Sequence, residues 1–176
     1  IIKKYHFQKI DLNFEYKKEE LLLNDIRFSL NDLNFTSEKL NIKRDKDDFF
    51  VSGNVNNKKF NINKKNFELL LKPLIPNFEI EKFLLSSSNK FSFKIKKGFK
   101  FEDFETTSKI FIDELVVINN FDLKNFFPDL RKDISFLNHE LFLKFKKNDL
   151  SINGKGKILS QNNVDNLDYT LNINDK

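Results

Sequence analysis

The chain has no cysteine, methionine, tryptophan or alanine. Without cysteine, disulfides, thiolate catalysis and cysteine-ligated zinc are excluded, and two histidines, His6 and His139, leave little for a metal cluster. Absent alanine removes the best helix former, and only 4 glycines and 3 prolines punctuate 176 residues. Arginine is also scarce. Of 31 cations only Arg27, Arg44 and Arg131 carry the guanidinium fork that grips phosphates in two places. No apolar run approaches the ~18–20 residues of a membrane-spanning helix. The chain opens at Ile1, so it is expected to be an internal fragment or a processed product, and any signal peptide or anchor would lie upstream of it.

What is abundant is phenylalanine, with 22, alongside Leu, Ile, Lys and Asn. Leu, Ile, Val and Phe together far exceed the ~20% below which a charged chain is expected to stay disordered. A core can therefore form, and the length suits one domain.

The arrangement of these residues is a period-two alternation, the mark of strands with one apolar and one solvated face. It runs through Ile10, Leu12, Phe14 and Tyr16, through Ile26, Phe28 and Leu30, and through Phe91, Phe93 and Ile95. It resumes at Ile110 and Ile112, at Leu141, Leu143 and Phe145, at Leu150 and Ile152, and at Leu167, Tyr169, Leu171 and Ile173. Phe111 and Phe142 break the polar side of two of these strands. At the usual strand length this predicts roughly ten to thirteen strands of about 5–6 residues. The expected turns are Asn56-Asn57-Lys58, Ser88-Asn89, Lys97-Gly98, Lys147-Asn148-Asp149 and Gln161-Asn162-Asn163.

Short polar turns leave no room for parallel crossovers, so the predicted fold is all-β, an antiparallel meander with one or two short helices. Helix is expected at Lys17 to Asp25 and Leu123 to Lys132. A bend is expected near residues 72–77, around Pro73 and Pro76, with residues 1–176 forming a single segment. Gly53, Gly154 and Gly156 fall on the apolar face of their strands, which predicts a bulge or sharp coiling there, or room left for another group.

The net charge of +5 could suit an anionic partner. Acids interrupt nearly every basic stretch, however, and phenylalanines such as Phe99 and Phe101 follow the parity of Ile95. The charges read as a solvated strand face, and nucleic acid is not an expected partner. There is no glycine-rich phosphate loop, no paired histidines and no Gly-x-Ser-x-Gly elbow. No catalytic residue, metal ligand or cofactor is assigned, and the chain is not expected to be an enzyme. His139, before a strand, is expected in a turn.

The stretch from Thr107 to Asn174 has the order Ile110-x-Ile112-x-x-Leu115, Phe127-Pro128, Leu141-x-Leu143-x-Phe145, Leu150-x-Ile152-x-Gly154-x-Gly156 and Asp168-Tyr169. This pattern resembles the AsmA-like proteins, in particular the TamB and YhdP type, and the strand from Phe49 through Gly53 to Ile62 is similar. The resemblance implies a strongly curved, open β-groove with an apolar inner face. It also implies a periplasmic lipid-transfer protein of the cell envelope, anchored in the inner membrane by a segment outside this one, that conducts phospholipid between inner and outer membranes. The expected groove residues are Phe91, Phe93, Ile95, Ile110, Ile112, Leu141, Leu143, Phe145, Ile152 and Tyr169. The rival reading is a structural β-sandwich or β-solenoid module of a surface or adhesive protein, in which the same face is a core.

Overall fold

A computed structural model describes residues 5–72, 79–118, 133–160 and 163–174. Nearly all of it is antiparallel β. Nine strands form one open sheet in sequence order: β1 (Phe7–Lys17), β2 (Glu20–Leu30), β3 (Leu33–Asp45), β4 (Asp48–Asn61), β5 (Glu79–Lys96), β6 (Lys100–Ile118), β7 (Asp133–Lys146), β8 (Asp149–Ser160) and β9 (Asn163–Ile173). The predicted all-β meander is thus borne out. Among the described residues the strands are fewer and longer than expected, from 11 to 19 residues.

The length difference has a local cause. Asn56-Asn57-Lys58 and Ser88-Asn89, read as turns, lie inside β4 and β5 and face each other across the ladder, with Asn56 opposite Ser88 and Asn57 opposite Ser87. Ser87 bonds to Asn57 across the ladder, and Asn89 to the Val55 carbonyl and Ser87, so these polar side chains are accommodated within the strands. The helix expected at Lys17 to Asp25 is instead the β1–β2 hairpin. Its charged run is the exposed turn, and Leu21 and Leu23 alternate as a strand. The expected helix at Leu123 to Lys132 lies outside the described residues, as does most of the expected bend at 72–77.

Tight turns close the hairpins. Asn31-Asp32 (φ 49° and 68°) and Lys147-Asn148 (φ 51° and 67°) are left-handed at both central positions, the geometry that matches strand twist. Five further left-handed residues, Lys9, Asp25, Lys59, Asp103 and Asn138, lie within strands. They sit in or opposite register shifts in four pairings, β1–β2, β4–β5, β5–β6 and β7–β8. Such bulges bend a strand and increase its twist. Those at Asp25 in β2 and Asn138 in β7 lie near mid-strand, and the others lie closer to strand ends.

Directly opposed residues share a face, so the register assigns each side chain to one of two faces. One face is mostly apolar. The other carries the lysines, with cross-strand ion pairs Lys94–Asp48 (2.9 Å), Lys96–Glu102 (2.7 Å) and Lys146–Glu105 (3.1 Å). The last two pairs are exposed and contribute little each, while Lys94–Asp48 is half-buried. They keep that face solvated.

One short helical segment covers part of the apolar face. It comprises α1 (Lys64–Asn66) and a continuing wider turn at Phe67–Leu71. Asn63 caps it by accepting a hydrogen bond from the Asn66 amide (2.9 Å), and Asn66 Nδ2 donates to the Asn31 carbonyl (3.3 Å), tying the segment to the β2–β3 turn. Phe67, 3% exposed, plugs into the sheet against Leu33, Phe60, Ile62, Leu85 and Ile112, which form the buried core.

Candidate functional site

All ten groove residues expected from the sequence fall on the apolar face. The register places Phe91 beside Gly53 and Thr106, Thr106 beside Phe145, Ile110 beside Leu141, and Leu143 beside Ile152. Leu141 lies beside Gly154, which faces Tyr169. Phe93 and Ile95 continue the row beside Val51 and Phe49.

The ten do not share one environment. Ile112 is 6% exposed and belongs to the closed core beneath Phe67, with Ile110 and Leu141 packed against its edge. A charge placed at position 112 would have no water to turn to. Phe91, Phe93, Ile95, Leu143, Phe145 and Ile152 are half-buried, shielded by their neighbours along the sheet. Aromatic contacts knit this open region together: Phe91–Phe93 at 6.0 Å, Phe93–Phe101 at 5.6 Å and Phe104–Phe145 at 6.0 Å between ring centres. At the two sheet edges the apolar face is more exposed, through Phe14 and Tyr16 on β1 and Leu171 and Ile173 on β9.

A polar belt separates the closed and open regions. Ser87 Oγ donates to Asn57 Oδ1, Asn57 Nδ2 to the Leu85 carbonyl (3.4 Å), and Asn89 Nδ2 to the Val55 carbonyl (2.9 Å) and to Ser87 Oγ (2.9 Å). Buried polar groups are tolerable when paired in this way. Sequence reasoning missed the belt because Asn and Ser suggested turns. The signal was present in parity, since Leu85, Ser87, Asn89, Phe91 and Phe93 alternate without a break.

His139 is the other correction. It lies within β7, not in a turn, and is 1% exposed. It sits at the β7 bulge over Gly156, where a Cβ would collide with its ring and stand 2.7 Å from its Cα. Its ring contacts Phe136 (5.7 Å) and Tyr169 (5.8 Å). Neither ring nitrogen has a partner in hydrogen-bonding geometry. Burial lowers its pKa below the usual histidine value, with the Lys157 backbone opposing the shift. Gly154 similarly makes room for the Tyr169 ring. The space left by these two glycines is thus filled by the protein's own side chains, and at Gly156 it coincides with a bulge. Burial raises the Tyr169 phenol pKa.

Chemically, the open region offers hydrocarbon contact and little else. Among the described residues no group of three or more His, Asp or Glu side chains could hold a metal ion, and no helix is long and apolar enough to cross a membrane. No protein family, curated protein or solved structure matches the chain.

Proposed function

We propose that the open region of the apolar face holds lipid acyl chains, and that the chain is a segment of a lipid-transfer protein in which phospholipid slides along this face. The observation that carries the reading is the contiguous patch of half-buried, uncovered side chains from Phe91, Phe93 and Ile95 to Leu143, Phe145 and Ile152. An apolar sheet face needs a second layer or a ligand, and the one short helical segment among the described residues covers only the opposite end. Acyl chains suit such a lining, since each buried methylene contributes about 0.8 kcal/mol and phenyl and alkyl groups impose no directional bonds. Sliding then needs no chemical step. The envelope setting proposed with it, a periplasmic bridge from inner to outer membrane, follows from the resemblance to the AsmA-like proteins.

The core around Phe67 and Ile112 favours a second reading, a structural β-module whose apolar face is closed by further protein. Lipid extraction and native mass spectrometry of the purified chain separate the two. The lipid reading expects co-purified phospholipid that is lost in Leu143→Asp while the chain stays folded; a well-folded, lipid-free chain overturns it.

A further inference from the structure

The polar face holds a feature that acyl-chain binding does not use. Midway along the strands, a depression of about 670 Å³ crosses β5 to β9. A second, of about 430 Å³, continues it toward β2 and shares Ser87 and Ser88 with the first. Together they form a furrow transverse to the strands. Its floor is Phe111 and Phe142, the two residues that break the polar alternation. Phe111 lies opposite Glu140 and Phe142 opposite Lys109, so the rings are diagonal neighbours on adjacent strands. They remain 37% and 39% exposed on the face that carries the lysines, whereas Phe50, also on that face, lies under the Lys94 ammonium.

We propose that this furrow binds a neutral oligosaccharide, with Phe111 and Phe142 as the stacking platform. Three observations select that chemistry. First, the rim around the rings carries Lys109, Lys155, Glu140 and Asp168, two cations and two acids, none of which takes part in the four ion pairs among the described residues. A polyanion or polycation loses at one pair what it gains at the other. Second, the rim mixes donors with acceptors. Asn153 Oδ1 accepts from Thr170 Oγ1 (2.8 Å), leaving its amide nitrogen to donate, and Ser86 Oγ accepts from the Lys59 amide (3.1 Å), leaving its hydroxyl hydrogen. Sugar hydroxyls both donate and accept, and a pyranose ring also presents a flat C–H face to the negative face of a phenyl ring. Third, the furrow is open and crosses paired strands at mid-length, so it offers side chains and no free backbone edge. An extended peptide would leave its own N–H and C=O groups unmatched there; a chain of sugar rings carries no such groups in its backbone.

This site lies on the opposite face from the acyl-chain region and does not depend on it. The test is a titration of the isotopically labelled full chain with cellohexaose, maltohexaose and hexa-N-acetylchitohexaose, and with an uncharged Ser/Asn hexapeptide for comparison, followed by amide chemical shifts. At least one sugar should give saturable shifts confined to the furrow strands. Phe111→Ala and Phe142→Ala should each weaken it roughly tenfold, with Phe142→Tyr retaining binding and Leu143→Ser, on the other face, leaving it unchanged. Asn153→Leu should weaken it by a smaller factor, and it carries the test if an alanine variant unfolds. Absence of saturable shifts with all three sugars at millimolar concentration overturns the proposal. So does binding that both phenylalanine substitutions leave intact, or binding only of an uncharged peptide.

Discussion

The two ends of the apolar face are built from the same alternation and meet different fates. At the end where α1 packs, Phe28 and Phe35 stack at 5.1 Å, Phe35 meets Phe60 edge-on at 4.9 Å, and Phe67 closes Leu85 and Ile112 from water. At the hairpin end, Phe91, Phe93, Phe101, Phe104 and Phe145 make looser ring contacts, at 5.6–6.0 Å, and no other described residues form a layer above them. Alternation therefore determines which way a side chain faces; the capped helical segment of α1 and the wider turn after it, Lys64–Asn66 and Phe67–Leu71, decides whether that face becomes core. The first end is closed core, and the second is the surface for which acyl-chain binding is proposed.

The sharpest way to break the comparison is to put the same charge at both ends. Ile112→Asp leaves an unpaired carboxylate in the closed core and should cost about 3–5 kcal/mol, enough to unfold a domain of ordinary stability. Leu143→Asp can hydrate and should cost about 1 kcal/mol. Chemical denaturation measures both; equal losses would mean the open end is closed as well. Truncation sharpens the same contrast less drastically. Phe67→Ala should cost about 3–4 kcal/mol, Phe145→Ala about 1–2 kcal/mol, read as shifts in denaturant midpoint.

Glycine gives a smaller effect along the same line. Gly156→Ala drives a methyl into the ring and Cα of His139, which is wedged in place, and should cost about 1–3 kcal/mol. Gly154→Ala meets only the Tyr169 ring, which lies near the sheet edge, is 37% exposed and can swing away, so less than about 1 kcal/mol is expected. Thermal melts of the two variants should rank accordingly.

The smallest effect is a pH dependence. Because burial depresses the folded pKa of His139, the unfolded chain binds the proton more readily. Stability is fully present above the unfolded value of about 6.5 and declines as pH falls from there toward the lower folded pKa. In His139→Phe that part of the pH profile should flatten, as followed by denaturation at stepped pH.

Much of this fold was legible beforehand. The all-β meander and the shared face of Phe91, Ile110, Leu143 and Ile152 follow from period two alone, since antiparallel neighbours at short turns must pair in register. Strand length was not legible at Asn57 and Ser88, where turn-forming residues pair across strands and let β4 and β5 run on. Neither was the core. Nothing local in Asn63 to Leu71 marks Phe67 as a plug, because its role depends on where α1 lands on the sheet. His139 was hidden for a related reason: only the bulge at Asn138 and the bare backbone of Gly156 make a buried place for it. The furrow on the other face was half visible, in Phe111 and Phe142, and its course across the strands is one that no single strand reveals.

The central claim is that acyl chains lie on the open end of the apolar face, and site-specific photocrosslinking tests it most directly. A benzophenone amino acid placed at Phe145, at Phe67 or at Lys144 reports on the open end, the closed end and the polar face in turn. After ultraviolet irradiation in cells and purification, mass spectrometry should find phospholipid adducts at 145 and none at 67 or 144. Adducts at none of the three positions, or equally at all of them, would contradict the account.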